Sequence, residues 1–160
     1  MSKSNVYFDT KGEEFNLKYL KKSGRNGYPV FYVYAVYAQK GYNLDDVMGV
    51  CEFVVHKSTR DENKKVCFLK TLEVERAYLE HGIGSYLLKA MENVALENGA
   101  NDVTVKLPND SATLSNFYVK NGYGVSGYLA FKNDIKLNND IVAEPIKEVT
   151  ALSDDALSTL

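Results

Sequence analysis

The sequence predicts an α+β fold, a mixed α/β sandwich in which one sheet carries helices packed on it. Three observations predict it. Four strand-like runs, rich in Val, Tyr and Phe, follow one another up to Glu75. The apolar period then switches to helical spacing between Ile83 and Asn98. Beyond that, the order becomes strand, helix, strand. With 160 residues, the chain has room for one domain of this kind.

The first run, Phe15-Asn16-Leu17-Lys18-Tyr19-Leu20, alternates apolar and polar residues and stops at the turn-forming Ser23-Gly24-Arg25-Asn26-Gly27. The second, Val30 to Gln39, suits a half-buried pleated surface and is broken by Gly41 to Asp46. Val47 to His56 is the third, and Lys57 to Lys64 forms a hydrated hairpin loop. Lys65 to Glu75 is the fourth, with Val66, Phe68, Leu72 and Val74 among its apolar members. Consecutive strands joined by short polar loops pair antiparallel, as a meander. Ile83, Leu87, Leu88, Met91, Val94 and Ala95 then mark one face of a helix, and Gly99 stands where a C-terminal cap belongs. Val103 to Leu107 is a short strand, ended by Pro108-Asn109-Asp110. Ser111 caps a second helix from Ala112 to Asn121, closed by Gly122. Tyr123 to Phe131 reads as one or two final strands bent at Gly124 and Gly127.

Apolar residues at 45% and charged residues at 25% exclude a fibrous or wholly disordered chain. No window of eighteen successive apolar residues offers a transmembrane helix. The start, Met1 to Asn5, lacks the apolar stretch of a signal peptide. Cys51 and Cys67 are too few for a disulfide framework, so a cytoplasmic location is expected. Two histidines and two cysteines without close ligand spacing predict no metal site. The net charge of -2 is unevenly spread: residues 133–160 hold six acids and two bases, the first 132 residues 15 acids and 17 bases. A mildly basic body with an acidic tail does not fit a nucleic-acid binder, yet leaves room for a small anionic ligand. From Asn133 onward large apolar residues are few and no period is clean. A domain over 1–132 and a loosely attached or disordered acidic tail over 133–160 are therefore expected, with a last short helix as an option at Ser153-Asp154-Asp155.

The stretch that carries chemistry is Leu72 to Ser85, where a strand enters a turn containing Gly82 and Gly84 and a helix begins at once. Backbone N–H groups at a helix start are unpaired and carry the positive end of the macrodipole, and glycines let a phosphate approach them. A glycine-containing turn with no ligand reads the same way. Two familiar phosphate loops are excluded. The dinucleotide fingerprint needs a third glycine where Leu87 stands, and the P-loop needs a Gly-Lys-Ser/Thr that is absent.

Leu72-Glu73-Val74, then Gly82-Ile83-Gly84 opening a helix, then Phe117-Tyr118 on a second helix and a terminal Gly122-Tyr123, follow the order and spacing of a known signature. In these features the chain resembles the GNAT family of N-acetyltransferases between Val66 and Phe131. The resemblance implies the acyl-CoA N-acyltransferase fold, a mostly antiparallel sheet with a V-shaped splay and helices on both faces. It implies acetyl-CoA as co-substrate and no metal. The pantetheine arm would pair with the backbone of Leu72 and Val74. The pyrophosphate would sit on the amides of Leu79, Glu80, His81, Gly82, Ile83, Gly84 and Ser85, with Arg76 and Lys89 adding charge nearby. Ser111 would lie beside the cofactor. Tyr118 would contact it and protonate the departing thiolate, while an amide near Val74 stabilises the oxyanion.

The function so implied is acetyl transfer to a primary amine: a protein N-terminus, a lysine or a small amine. Glu73 is the first choice of general base, ahead of Glu52 and His56. Three positions depart from the family pattern: Leu79 replaces an Arg or Gln, Ser111 an asparagine, and Lys106 a glutamate. They keep open a second reading, a catalytically silent CoA-binding or interaction module. Tyrosines between residues 7 and 42 suit either an acceptor cleft or a half-exposed sheet. The short segment from Asp9 to Tyr28 points to an open acceptor side, a homodimer that completes it, or loss of function. Neither nucleic acid nor a membrane is an expected partner.

Overall fold

Period-two alternation turns one side of each meander strand toward a common core. In β2 (Glu14–Ser23), Phe15 and Leu17 are buried on that side, while Asn16, Lys18 and Leu20 point to the other. The computed structural model describes residues 6–24, 27–37, 47–108 and 112–146. A two-residue β1 (Tyr7–Phe8) precedes β2, and β3 (Pro29–Tyr37), β4 (Val47–Lys57) and β5 (Lys65–Val74) complete an antiparallel meander. A 3-10 turn (Arg76–Tyr78) leads to α1 (Ile83–Glu97), which crosses to β6 (Ala100–Lys106), parallel to β5. Then come α2 (Ala112–Lys120), β7 (Gly124–Ser126), β8 (Leu129–Lys132) and β9 (Glu144–Pro145). The sheet order is β1-β2-β3-β4-β5-β6-β8-β7, with β9 added beside β2.

Both helices feed the larger apolar cluster, α1 through Ile83, Leu87, Leu88 and Met91, and α2 through Tyr118 and Phe117. The opposite face carries a smaller cluster of Leu20, Tyr34, Val36 and Val50, with Ile146 packed against it. Glycines end the helices as expected: Gly99 and Gly122 have φ of +94° and +90°, a conformation that costs other residues strain. Ser126 and Leu129 pair across Gly127-Tyr128, and Gly127 at φ +60° supplies the first residue of this tight hairpin turn. The two-strand option for Tyr123 to Phe131 is the one adopted.

β5 is the element that shapes the site. Opposite β4, Glu52 faces Thr71 while Phe53 faces Leu69, so Lys70 is an extra, bulged residue. The bulge flips the alternation. Cys67 and Leu69 point to the helices, and after it Leu72 and Val74 do so, while Thr71 and Glu73 turn to the opposite face. The bulge also bends the strand. Pairing with β6 ends at Leu69 opposite Val105, and from Lys70 to Val74 β5 has β4 alone beside it among the described residues. This parting of two parallel strands is the expected V-shaped splay.

Residues 133–146 do not hang free. Ile135 and Ile141 are buried in the main cluster. Asn93 on α1 donates Nδ2–H to the carbonyls of Asn138 (2.9 Å) and Ile141 (2.7 Å), and its Oδ1 accepts the Asn138 N–H at 2.9 Å. β9 then pairs with β2, and Lys18 meets Glu144 at 2.8 Å. The expectation of a loose tail starting at Asn133 gives way to a strap over this stretch, because the backbone hydrogen bonds and two isoleucines hold it. The remainder, including Ser153 to Asp155, lies outside the described residues.

Candidate functional site

The splay and the start of α1 meet at one end of the sheet. The N–H of Glu75 bonds to the Met48 carbonyl at 2.8 Å. Alternation along the strand therefore turns the N–H and C=O groups of Leu72 and Val74 to the open side. A single extended segment can pair there as a strand would.

Just beyond, Gly82 takes φ +81° and ends the turn, and α1 begins without any side chain capping it. Among the described residues no acceptor takes the N–H groups of Gly82, Ile83, Gly84 and Ser85. Four such donors at a helix start make an anion-binding concavity. Gly84 is needed for contact as well: a Cβ there would lie 3.2 Å from the Phe117 ring, which packs α2 against this turn. Glu80 adopts φ +65°, rare for a residue with a side chain. The β1–β2 turn grips the loop it belongs to: Thr10 donates its N–H to the His81 carbonyl at 3.0 Å, and His81 Nδ1 lies 2.9 Å from Asp9 Oδ2. Leu79 is 54% exposed, its apolar side chain outside the core. Arg76 and Lys89 are exposed at the turn and on α1.

Tyr118 reaches the same place from α2. It is buried between Phe117 and Tyr123, with ring centroids at 5.1 and 5.5 Å. Burial first, and then the nearby Cys51 sulfur, push its phenol pKa above the ordinary 10.0, so it holds its proton at neutral pH. Cys51 is the cross-strand partner of Leu72, so the phenol lies near the β4–β5 pair at the level of Leu72. Tyr123 is fixed in turn by Glu92, whose Oε2 accepts its hydroxyl at 2.8 Å, and Lys132 Nζ lies 3.0 Å from Glu92 Oε1. The helical pattern marks neither Glu92 nor Asn93, since both are polar residues on a helix buried nearly all round from Met91 to Ala95.

Glu73 lies on the other face. Its cross-strand neighbour is Val50, whose own neighbour on β3 is Tyr34. One row over stand Tyr32, Glu52 and Thr71, in register. The Tyr32 and Tyr34 rings stack with centroids 6.2 Å apart. Burial and the Glu52 charge raise the Tyr32 pKa; burial, Tyr32 and Glu52 raise that of Tyr34. The Tyr34 hydroxyl is buried and has no partner among the described residues. His56 is not part of this group. It lies four residues along β4 from Glu52, about 13 Å at the usual strand rise, and its ring meets Tyr28. Lys106 is exposed at the end of β6, opposite Leu129. Ser111 lies outside the described residues. No group of three or more His, Cys, Asp or Glu side chains is placed to hold a metal among them, and no helix there is long and apolar enough to cross a membrane.

Residues 5–123 match the family model described as the acetyltransferase (GNAT) family. No curated protein matches the sequence. Among solved structures, Naa50 of Arabidopsis thaliana, in complex with a bisubstrate analogue CoA-Ac-MVNAL, is similar at 18% identity and TM-score 0.52, over 64% of this chain and 72% of that one. A GNAT-family acetyltransferase of Staphylococcus aureus gives 13% and 0.51, over 66% and 68%. A cAMP-binding acyltransferase of Mycobacterium smegmatis gives 15% and 0.59, over 84% of this chain and 48% of its own length. At these identities the likeness is one of fold.

Proposed function

The chain belongs to the acetyltransferase (GNAT) family, and we propose that it transfers an acetyl group from acetyl-CoA to a primary amine by direct attack. The observation that carries this reading is the junction of two unpaired backbone surfaces at one end of the sheet. One is the β5 edge at Leu72 and Val74; the other is the set of free N–H groups from Gly82 to Ser85. An extended amide-bearing arm ending in a pyrophosphate fits the two in sequence. Bound acetyl-CoA supplies an acyl thioester, an acyl group already activated for transfer.

The protein's own groups then divide the work. Leu72 and Val74 hold the arm in register, and an N–H at Val74 meets the negative charge that develops on the acyl oxygen. Leu79 to Ser85 hold the pyrophosphate with backbone dipoles, which suits a loop whose first side chain is the apolar Leu79. The amine approaches from the face of Glu73, Glu52, Tyr32 and Tyr34, where two carboxylates attract a cation. Glu73 takes the proton that the amine nitrogen loses as the new C–N bond forms. From the opposite face, Tyr118 donates its O–H to the sulfur as the C–S bond breaks. Its raised pKa, above that of a free thiol, means that it works by a strong hydrogen bond to the departing sulfur rather than by standing ready to ionise.

The test is release of free thiol from acetyl-CoA in the presence of a panel of amines. The expected result is amine-dependent release, reduced about a hundredfold in kcat by Tyr118→Phe with CoA affinity changed less than about twofold. Saturable CoA binding without thiol release from any amine would instead support the silent binding module that Leu79 and Lys106 keep open.

A further inference from the structure

Tyr34 on β3 is wholly buried, and its hydroxyl has no hydrogen-bond partner among the described residues. An unpaired hydroxyl in a closed site costs stability, and a bound molecule or an ordered water completes such a group. Leu20, Val36, Val50 and Ile146 pack around Tyr34 without offering a polar side-chain atom. The polar groups beside it are Tyr32 and Glu52. The Tyr32 ring lies nearly parallel to its own, at 10° with centroids 6.2 Å apart, and the Glu52 charge acts on both phenols.

Glu52 faces Thr71 and Glu73 faces Val50, so the two acids are diagonal neighbours across β4 and β5, about 7–8 Å apart. Neither side chain makes an ion pair or a hydrogen bond among the described residues. Two lysines share this face and are engaged elsewhere. Lys18, in register with Tyr34, meets Glu144 at 2.8 Å, and Lys22 Nζ lies 5.9 Å from the centre of the Tyr32 ring. The Tyr32 ring thus already takes one ammonium over its face. Glu73 adjoins Val74, whereas Glu52 and Tyr32 lie one row farther along the sheet and Tyr34 lies beyond Val50. A carboxylate, phenol oxygens and ring faces together suit an ammonium, which has three donors and no acceptor.

Resting on the reading that this face receives the amine acceptor, we propose that Glu52, Tyr32 and Tyr34 bind a second ammonium of that acceptor, so that the substrate class is a short diamine. One nitrogen loses its proton to Glu73 and is acylated. The other stays protonated against Glu52 and gives the Tyr34 hydroxyl its missing partner. A chain of about four methylenes spans the two acids.

The experiment compares thiol release from acetyl-CoA with 1,4-diaminobutane, 1-aminobutane and 4-amino-1-butanol, and follows binding of 1,4-diaminobutane alone by calorimetric titration. The diamine should exceed both monoamines about tenfold in kcat/KM, the size of one hydrogen bond to a charged group. Glu52→Gln should bring that ratio to within about twofold of one and weaken diamine binding about tenfold. Glu62→Gln, an exposed residue between β4 and β5, should keep the wild-type ratio. Tyr34→Phe loses only an unpaired hydroxyl, so it should melt no lower than wild type while its ratio falls about threefold. Equal kcat/KM for the three amines, a preference that survives in Glu52→Gln, or a Tyr34→Phe that melts lower with its preference intact would overturn the proposal and leave acetyl transfer standing. Saturable diamine binding that depends on Glu52, without thiol release from any amine, would support the ammonium site and overturn the acetyl-transfer reading. Neither binding nor release would overturn both.

Discussion

Lys132→Met removes a single ammonium and keeps most of the apolar stem. Its partner, Glu92 of α1, has a side chain 8% exposed, while that of Lys132 is 29% exposed. In the native protein the Glu92 carboxylate has two donors, the Tyr123 hydroxyl at 2.8 Å and Lys132 Nζ at 3.0 Å. The same ammonium reaches the Asn121 carbonyl at 3.3 Å and lies 5.4 Å from the centre of the Tyr123 ring. The variant leaves a charged carboxylate with one neutral donor in a nearly closed site. Removing one partner of a fully buried pair costs about 3–5 kcal/mol, and partial access of water to Lys132 reduces the expected loss to about 2 kcal/mol. For a chain of this size that is about 4–8 °C in melting temperature. Urea unfolding at neutral pH measures it. The double variant Glu92→Gln/Lys132→Met should recover about half of the loss, because the amide needs no countercharge. A loss below about 0.5 kcal/mol in Lys132→Met, or a double variant as unstable as the summed singles, would refute the view that this pair is a buried brace. Since Tyr123 packs against Tyr118, the single variant should also lower kcat.

Asn93→Ala deletes three hydrogen bonds to the strap and should cost about 2–3 kcal/mol, with faster hydrogen exchange at the Asn138 amide as its local signature. At acid pH the unfolded chain binds a proton to Asp9 before the folded protein does, because the folded pKa lies below the ordinary 3.8. The stability Asp9 contributes is therefore complete above that value and is lost as pH falls through the folded pKa. Unfolding curves for Asp9→Asn should show a flatter acid limb than wild type below about pH 4. Gly49→Ala would place a Cβ 3.0 Å from the Glu73 carbonyl oxygen and 3.0 Å from Leu87 Cδ1. A backbone oxygen cannot swing aside, so the variant should lose about 1–3 kcal/mol and turn over more slowly as Glu73 shifts, read by urea unfolding and thiol release.

Local pattern made most of the core legible. Alternation located β2 to β5, and the spacing from Ile83 to Ala95 located α1, with ends that shift by a few residues. Gly99 and Gly122 punctuated the helices because their positive φ is a local demand that few residues meet. The bulge at Lys70 left no such mark. Its effect, placing Glu73 on the face opposite Cys67 and Leu69, depends on the register against β4, which no single strand encodes. The strap was missed for a related reason: Ile135 and Ile141 have no period, and the Asn93 side chain that fastens them lies over forty residues away in the chain. In the site, Gly82-Ile83-Gly84 marked the turn and the start of α1, while a glycine-containing turn alone did not distinguish a ligand loop from an empty one. The Asp9–His81 pair left no mark, since a surface aspartate and a loop histidine look ordinary until the β1–β2 turn brings them together.

The most direct test of the account is calorimetric titration of the protein with acetyl-CoA at neutral pH. The splayed β5 edge and the free amides of Gly82 to Ser85 predict one saturable site, with a dissociation constant on the order of 10 μM and a negative heat-capacity change as apolar surface is covered. No saturable heat at acetyl-CoA concentrations of about 1 mM would contradict it, since a site of that affinity would be about 99% filled.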